Sequence, residues 1–206
     1  MKLNKKDKEL ISKEIENVEK KSSAELVAVV TKRSSNYKYA ASFINIFILF
    51  LVSFFLIFFT QKDAFELLQL QLLIFVGISL FFEKFDQVIF KLLPKSYKHK
   101  KASQNASTQF YNLGLNRTKT NQGIMFFVSS DEKYVEIIAD EEISKKIDDS
   151  YWEKIVDEFI KDVKKKHLSK GYLKAIQSCS TILIEKFPIQ ENDENELPNE
   201  VIELKS

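Results

Sequence analysis

The pattern of hydrophobic positions changes several times along this 206-residue chain. In residues 3–21 one helical face collects the apolar side chains Leu3, Leu10, Ile11, Ile15 and Val18. This spacing predicts an amphipathic helix. The run from Ala24 to Val30 is almost continuously apolar and flanked by charge, which is typical of a strand covered on both faces. Such a strand cannot stand alone, because its edges and faces need partners.

The segment from residue 40 to residue 82 is dominated by apolar side chains. No charged residue occurs from Ala40 to Thr60, and at about 1.5 Å per residue this stretch covers the roughly 30 Å hydrocarbon layer. A second apolar stretch, Ala64 to Phe82, carries polar residues mainly near its start. These residues would lie near the membrane interface, where a polar group costs less free energy than in the hydrocarbon layer. The pattern predicts a transmembrane hairpin. Two helices buried in a soluble core are the alternative, but such helices are rarely apolar all round over this length.

Basic residues flank the hairpin on both sides. They are Lys32, Arg33 and Lys38 before it and Lys84, Lys91, Lys95, Lys98, Lys100 and Lys101 after it. The short loop "QKDAFE" carries one lysine against two acidic residues, so the positive-inside rule predicts both ends of the hairpin in the cytoplasm.

The segment that follows the hairpin, residues 83–101, combines charge with an apolar stripe. The stripe consists of Phe85, Val88, Ile89, Leu92 and Leu93, and Pro94 closes it. We expect a helix that lies along the membrane surface and attracts anionic lipid. A continuation of the second span into water is the alternative.

The second half of the chain supplies the missing partners of the first strand. Gly123 to Ser129 and Tyr134 to Ala139 predict two strands joined by a short turn, and a short helix before them is expected to end near Gly114. Two amphipathic helices follow, one after the cap candidates Asp148 to Ser150 and one over Tyr172 to Phe187. The acidic connector "ENDENE" and the tail "LPNEVIEL", a possible edge strand, close the chain.

These elements predict an α/β protein: a small three-layer α/β/α sandwich with a mixed sheet, interrupted by a two-helix transmembrane hairpin. We expect five segments: residues 1–39, the first part of the α/β domain; 40–82, the hairpin; 83–101, the juxtamembrane basic segment; 102–188, the second part of the domain; and 189–206, the acidic linker and tail. Because a hairpin returns the chain to the side it left, its insertion in a loop leaves the topology of the domain unchanged.

Composition excludes several function classes. The net charge of +2 and the lack of a nucleic-acid motif argue against nucleic acid as a partner. A single cysteine, Cys179, permits no intrachain disulfide. The two histidines, His99 and His167, lie in lysine-rich stretches without a recognisable nucleophile or carboxylate, so general acid–base catalysis by either is not expected.

Four residues are candidates for a binding site: Glu25, Arg117, Asp131 and Asp140. Glu25 starts the first strand, and a buried carboxylate there needs a partner that Arg117 could supply. Arg117 could alternatively bind a substrate such as phosphate. Calcium or magnesium is the cofactor that Asp131, Asp140 and nearby acids would take. Since the two aspartates lie at opposite ends of the third strand, we assign no metal ligand and no catalytic residue; the acids equally suit turns and helix caps.

The segment "NLGLNRTKTNQGIMFFVSSDEKYVEIIADEEI" resembles the TPM domain family, and within it the short bacterial membrane-embedded branch. Motifs typical of that branch match in order at Ala24 to Val30, Gly114 to Ser129, Tyr134 to Asp140 and Glu196 to Leu204. The resemblance implies a three-layer sandwich and a multi-pass protein of the bacterial inner membrane. Exported members are linked to acid phosphatase activity, metal binding and the assembly or repair of membrane complexes. Asp140 stands where those members usually have a glycine, which argues against transferring the phosphatase activity.

Two function classes follow from the residues and the resemblance together. The leading hypothesis is a non-catalytic module that binds membrane lipid and another membrane protein or complex, and assists its assembly, quality control or modulation. The alternative is a metal-assisted acid phosphatase-like hydrolase, and a purely structural membrane protein is a third. A hydrolase predicts a cleft where Asp140 meets Arg117 or Glu25 with a further carboxylate within about 5 Å. A binding module predicts these residues in salt bridges or solvent, so the sequence leaves the enzyme question open.

Overall fold

The computed structural model describes residues 3–165, 167–191, 193 and 195–204. The ends of the first and last predicted segments, and positions 192 and 194 of the acidic connector, lie outside the described residues. The chain divides into two compact units, a hairpin unit, Asn36–Lys98, and an α/β unit formed by the rest of the described chain.

The α/β unit is built on a mixed sheet whose strand order, among the described residues, is β3-β2-β1-β4. Its strands are β1 (Glu25–Thr31), β2 (Gly123–Ser129), β3 (Tyr134–Ala139) and β4 (Ile202–Leu204). β1 runs parallel to β2 and β4, and β3 is antiparallel to β2. The two central strands are almost wholly buried, as their continuous apolar pattern predicts for a sheet covered on both faces. The tail forms the predicted edge strand.

Helices cover both faces of this sheet. In chain order the helices are α1 (Lys5–Glu19), α2 (Lys38–Phe59), α3 (Ala64–Lys84), α4 (Asp86–Leu92), α5 (Lys95–Asn112), α6 (Glu141–Lys146), α7 (Asp149–Lys164) and α8 (Leu168–Lys186). Side chains of α1, α7 and α8 pack with Leu26 and Phe126 on one face. Ala106 and Phe110 of α5 pack with Val27 and Phe127 on the other. The predicted α/β/α sandwich is therefore confirmed.

Several details of the α/β unit differ from the prediction. β1 is shifted by one residue, and α8 begins at Leu168 where the sequence predicted Tyr172. Leu10, expected on the inner face of α1, is 43% exposed. The short helix before Gly114 is in fact the long α5, because no helix breaker interrupts the chain between Pro94 and Asn112. It ends as predicted, since Gly114 has φ of 78°. The six-residue α6 was not predicted; its one turn and a half is too short for a periodic pattern.

In the hairpin unit, α2 and α3 are long and apolar enough to cross a membrane, and almost none of their apolar stretch is buried. Polar side chains join the two helices. Nδ2 of Asn45 donates to Oγ of Ser79 at 2.7 Å and to the carbonyl of Phe75 at 3.3 Å. Nε2 of Gln71 donates to Oγ of Ser53 at 3.0 Å. Asn45, Ser53, Gln71 and Ser79 thus face the partner helix, whereas many large apolar side chains of α2 and α3 are exposed.

The apolar stripe predicted for the membrane surface is largely used inside the hairpin unit. Ile89 of α4 is 2% exposed and clusters with Tyr37, Ala40 and Phe82. Other members of the stripe, Val88 and Leu93, pack against this cluster, which leaves Phe85 and Leu92 exposed. The stripe therefore packs α4 against α2 and α3.

Candidate functional site

The parallel strands β1 and β2 end side by side at Thr31 and Ser129. In open α/β sheets, ligands bind outside the carboxyl ends of parallel strands. The pairing continues beyond the strands, because the Ser130 N–H donates to the carbonyl of Thr31 at 3.0 Å and the Asp131 N–H donates to that of Lys32 at 2.8 Å. This brings the residues after β1 against the β2–β3 turn.

At this end of the sheet, Asp131 forms an ion pair with Arg33, which lies in the first part of the chain. Nε of Arg33 donates to Oδ2 of Asp131 at 2.9 Å, and the two side chains are 10% and 25% exposed. Removing one partner of such a pair leaves a poorly solvated charge, which costs about 3–5 kcal/mol for a buried pair and less here because Asp131 keeps some water. Arg33 therefore joins the segment before the hairpin to the segment after it.

The neighbouring carboxylate, Glu132, is 3% exposed and belongs to a hydrogen-bond network. Its Oε1 accepts from the Ser34 N–H at 3.0 Å, and its Oε2 accepts from the Ser129 hydroxyl. The hydroxyl of Ser34 donates to Oγ of Ser129 at 2.9 Å. The acids that the sequence suggested as metal ligands at this turn are thus bound to protein donors.

The opposite end of the sheet carries Glu25, which is 5% exposed. Its carboxylate accepts from the N–H groups of Glu196 at 3.0 Å and Leu197 at 3.3 Å. Burial raises the pKa of Glu25, and these two hydrogen bonds oppose the rise. The predicted partner, Arg117, is exposed, and no ion pair joins it to Glu25 within the described chain. The structural tie is therefore to the C-terminal segment, whose backbone passes the carboxylate before β4.

Glu19, at the end of α1, lies close to Glu25 and was missed in the sequence. Its Oε1 accepts from the Leu26 N–H at 3.3 Å. Burial, followed by the charge of Glu25, raises the pKa of Glu19 to about 8. These two carboxyl groups are close because α1 packs against β1. No local sequence pattern predicts this proximity.

Asp140 follows β3 at the same end of the sheet as Glu25. Its N–H donates to the carbonyl of Gly123 at 2.8 Å, and its own carbonyl accepts from the Ser144 N–H at 3.0 Å. The Oδ2 atom is buried without a hydrogen-bond donor among the residues described, as is Oε1 of Gln122. These two oxygens lie beside the start of β2, because Gln122 precedes Gly123 and the Asp140 N–H donates to the Gly123 carbonyl.

The structure does not bring Asp131 and Asp140 together. In the β2–β3 register, Ser129 pairs with Tyr134 and Ile124 pairs with Ala139, so the two aspartates follow opposite ends of β3. Six strand residues at about 3.4 Å each separate them by roughly 20 Å. Within the described parts of the chain there is no group of three His, Cys, Asp or Glu side chains that could hold a metal ion.

A further polar cluster lies on the α5 face of β3. The hydroxyl of Ser103 donates to Oε1 of Glu136 at 3.4 Å, and the ring of His99 meets the ring of Tyr134 edge-on with centroids 5.1 Å apart. Burial raises the pKa of Glu136, and it raises that of Tyr134 to about 12. The sequence contained a usable pattern, because His99 and Ser103 are four residues apart and Tyr134 and Glu136 two apart.

Comparisons with known proteins bear on the fold. Residues 86–182 match the TPM domain. Among solved structures, the NMR structure of the BA42 protein from the psychrophilic bacterium Bizionia argentinensis matches with a TM-score of 0.59 and 17% sequence identity. The match covers 98% of this chain and 96% of that one. No curated protein matches. At this identity, the similarity to BA42 concerns the fold alone.

Proposed function

Since this chain is a TPM domain protein, we propose that it is a membrane-anchored binding module without catalytic activity. In this proposal α2 and α3 cross the inner membrane of a bacterium, and the α/β unit lies on the cytoplasmic side. There it binds another membrane protein or complex and assists its assembly, quality control or modulation.

The surface of the hairpin unit supports the anchor. Large apolar side chains that are more than half exposed follow one another along α2 and α3, including Phe43, Phe47, Phe50, Phe54, Phe58, Phe65 and Leu73. Soluble proteins rarely expose continuous apolar patches beyond a few hundred Å², whereas a bilayer covers such a surface. The helical backbone satisfies its own hydrogen bonds, as a membrane requires. The lysines that flank the hairpin support the cytoplasmic orientation.

The Arg33–Asp131 pair is the observation that carries the non-catalytic part of the proposal. A hydrolytic centre needs carboxylates that converge on a cation or a substrate. Asp131 is instead paired with Arg33, and Glu25 accepts two backbone hydrogen bonds. The side chains best placed for chemistry thus connect distant parts of the chain.

Photo-cross-linking in intact cells tests the binding role. A photoreactive amino acid would replace, one at a time, the exposed apolar residues Leu10, Tyr111 and Ile189 of the α/β unit. The matched control is Lys62, between the two apolar helices. We expect at least one α/β position to give a defined adduct with an integral membrane protein that the Lys62 position does not give. Adducts that are absent, or identical at all four positions, would overturn the proposal.

A metal-assisted hydrolase is the second candidate, and the buried Oδ2 of Asp140 favours it. Asp131 and Asp140 cannot bind the same cation, because they follow opposite ends of β3. A hydrolytic site would therefore have to lie around Asp140 and Gln122.

Hydrolysis of p-nitrophenyl phosphate by the detergent-purified chain, with magnesium, calcium or a chelator, separates the two candidates. A binding module predicts no turnover above the blank for wild type, Asp140→Asn and Asp131→Asn alike. Metal-dependent turnover that Asp140→Asn abolishes and Asp131→Asn retains would establish the hydrolase.

A further inference from the structure

Four exposed lysines surround one end of the hairpin unit. Lys38 begins α2, Lys84 ends α3, Lys91 lies in the last turn of α4 and Lys95 begins α5. Lys38 and Lys84 are at the same end of the antiparallel pair, since the adjoining Ala40 and Phe82 belong to one buried cluster. We call these four lysines, with Phe85 and Leu92, the hairpin base.

The ammonium groups of the hairpin base have no acidic partner in the part of the chain that the structure describes. Within the described residues, none of the four lysines forms an ion pair. Other lysines of this unit are used differently. Lys62 pairs with Glu66 at 3.2 Å, and Lys98 donates to the carbonyl of Phe90 at 3.1 Å and lies 4.5 Å from the centre of its ring. The hairpin base thus presents four lysines that form no ion pair with the described residues.

Apolar side chains accompany these charges. Phe85 is 46% exposed and Leu92 is 61% exposed, although the buried Ile89 fixes α4 against the helix pair. Nζ of Lys84 lies 5.8 Å from the centre of the Phe85 ring. Lysines beside exposed apolar side chains match the boundary between headgroups and acyl chains, because the stem of a lysine stays apolar while its ammonium reaches the phosphate.

We propose that the hairpin base binds anionic phospholipid, with its lysines on headgroup phosphates and with Phe85 and Leu92 against the acyl chains. This rests on the proposed function only in requiring the hairpin to lie in a bilayer. A zwitterionic headgroup carries its own compensating cation, so the unpaired lysines favour a lipid with net negative charge. Free phosphate would leave the two apolar side chains in water.

Spin-labelled lipids measure this preference directly. The full-length chain would be reconstituted in phosphatidylcholine vesicles containing a trace of spin-labelled phosphatidylglycerol or spin-labelled phosphatidylcholine. Electron paramagnetic resonance then gives the motionally restricted fraction of each label, and hence the ratio of their association constants. We expect a ratio of about five, the effect of one lysine near an anionic surface. High salt is expected to lower it towards one.

Matched variants localise the effect. Lys38→Gln, Lys84→Gln, Lys91→Gln and Lys95→Gln together are expected to lower the ratio to about one, and the corresponding four Lys→Arg changes are expected to keep it. The control carries Lys5→Gln, Lys6→Gln, Lys161→Gln and Lys164→Gln, which remove the same charge from the exposed faces of α1 and α7. It should retain the wild-type ratio.

A ratio of one for wild type, an unchanged ratio in the first glutamine variant, or an equal loss in the control would overturn the lipid site. The vesicles contain no other protein, so failure to find a protein partner leaves this test unaffected. Failure of the anchor itself has a separate signature, since spin-labelled phosphatidylcholine would then show no restricted fraction.

Discussion

Phenylalanine has opposite surroundings in the two units of the molecule. Phe126 and Phe127 in the α/β unit are fully buried, whereas Phe43 and Phe58 in the hairpin unit are 73% and 68% exposed. In the hairpin unit the polar side chain of Asn45 is buried instead, at 2% exposed. Phenylalanine side chains thus form the core of the α/β unit and the outer surface of the hairpin unit. A high phenylalanine content therefore predicts burial in water and exposure in a bilayer, so composition predicts the position of a side chain only when the solvent of its segment is known.

Removing the Phe126 ring should produce the largest effect in this comparison. The ring packs edge-to-face on Phe159 and Tyr172, with centroids 5.1 and 5.3 Å apart. Phe126→Ala is expected to lower the free energy of unfolding by about 3–5 kcal/mol through the cavity it leaves. Urea unfolding of the full chain in micelles, followed by Trp152 fluorescence, measures this. Phe54→Ala in the hairpin is the control and should leave the same transition unchanged; equal losses would end the distinction between the units.

Glycine offers the second contrast. A Cβ on Gly123 would lie 2.2 Å from the carbonyl oxygen of Leu115, while one on Gly77 in α3 would meet nothing within 4 Å. Gly123→Ala should therefore cost about 3 kcal/mol, since a backbone atom must move. Gly77→Ala should leave folding intact and strengthen α3 slightly, by roughly 0.5–1 kcal/mol. The urea transition measures the effect of Gly123→Ala. Thermal loss of helical circular dichroism in micelles measures the effect of Gly77→Ala. A tolerated Gly123→Ala would show that Leu115 and its 3₁₀ turn can shift.

The pH dependence of stability should belong to the α/β unit. The pKa of Glu19 is raised from 4.5 to about 8 in the folded state, so folding favours the neutral carboxyl. The resulting stability is complete below about pH 4.5 and is lost as the pH rises through about 8.

Relative to Glu19→Gln, wild type should lose on the order of 2 kcal/mol of unfolding free energy between about pH 5 and about pH 9. Urea titrations at each pH measure the difference. Glu9→Gln is the control, because Glu9 is exposed on the same helix. Its unfolding free energy should follow that of wild type at every pH. Parallel curves for wild type and Glu19→Gln would mean that water reaches this carboxyl.

The smallest expected effect lies between α2 and α3. Asn45→Leu removes the hydrogen bond to Ser79 and should weaken the helix pair by about 1 kcal/mol. Dyes attached through Tyr39→Cys and Glu83→Cys would report separation of the helices during an SDS titration. Gln69→Leu changes an exposed polar residue of α3 and serves as the control. If both variants separate at the same SDS fraction as wild type, packing alone holds the pair.

Much of the fold could be predicted because the pattern was locally complete. β2 and β3 have the predicted bounds, and β1 differs by one residue at each end, since continuous apolar runs flanked by charge define buried strands. The hairpin helices also match closely. The surroundings of α4 could not be predicted, because a stripe such as Phe85 to Leu93 suits a membrane surface and a protein neighbour equally well.

The contacts of the candidate site were mostly beyond the sequence. Asp131 was singled out, but its partner Arg33 was counted only among the flanking basic residues. Glu25 was expected to need a partner, and the sequence offered the guanidinium of Arg117 because backbone N–H groups carry no residue-specific pattern. The residue types thus predicted that these carboxylates would have hydrogen-bond donors. Which donors they have depends on the topology of the chain.

The parallel pairing of β1 with β2 has a consequence for biosynthesis. β1 leaves the ribosome early, but its neighbours on both sides, β2 and β4, are translated only after the hairpin, so the central strand of the sheet must wait unpaired. The nascent chain therefore completes its apolar helices before its sheet can close. Proteolysis of ribosome-bound chains that stop before Gly123 should accordingly cut within β1, and protection should arise only once β2 has emerged.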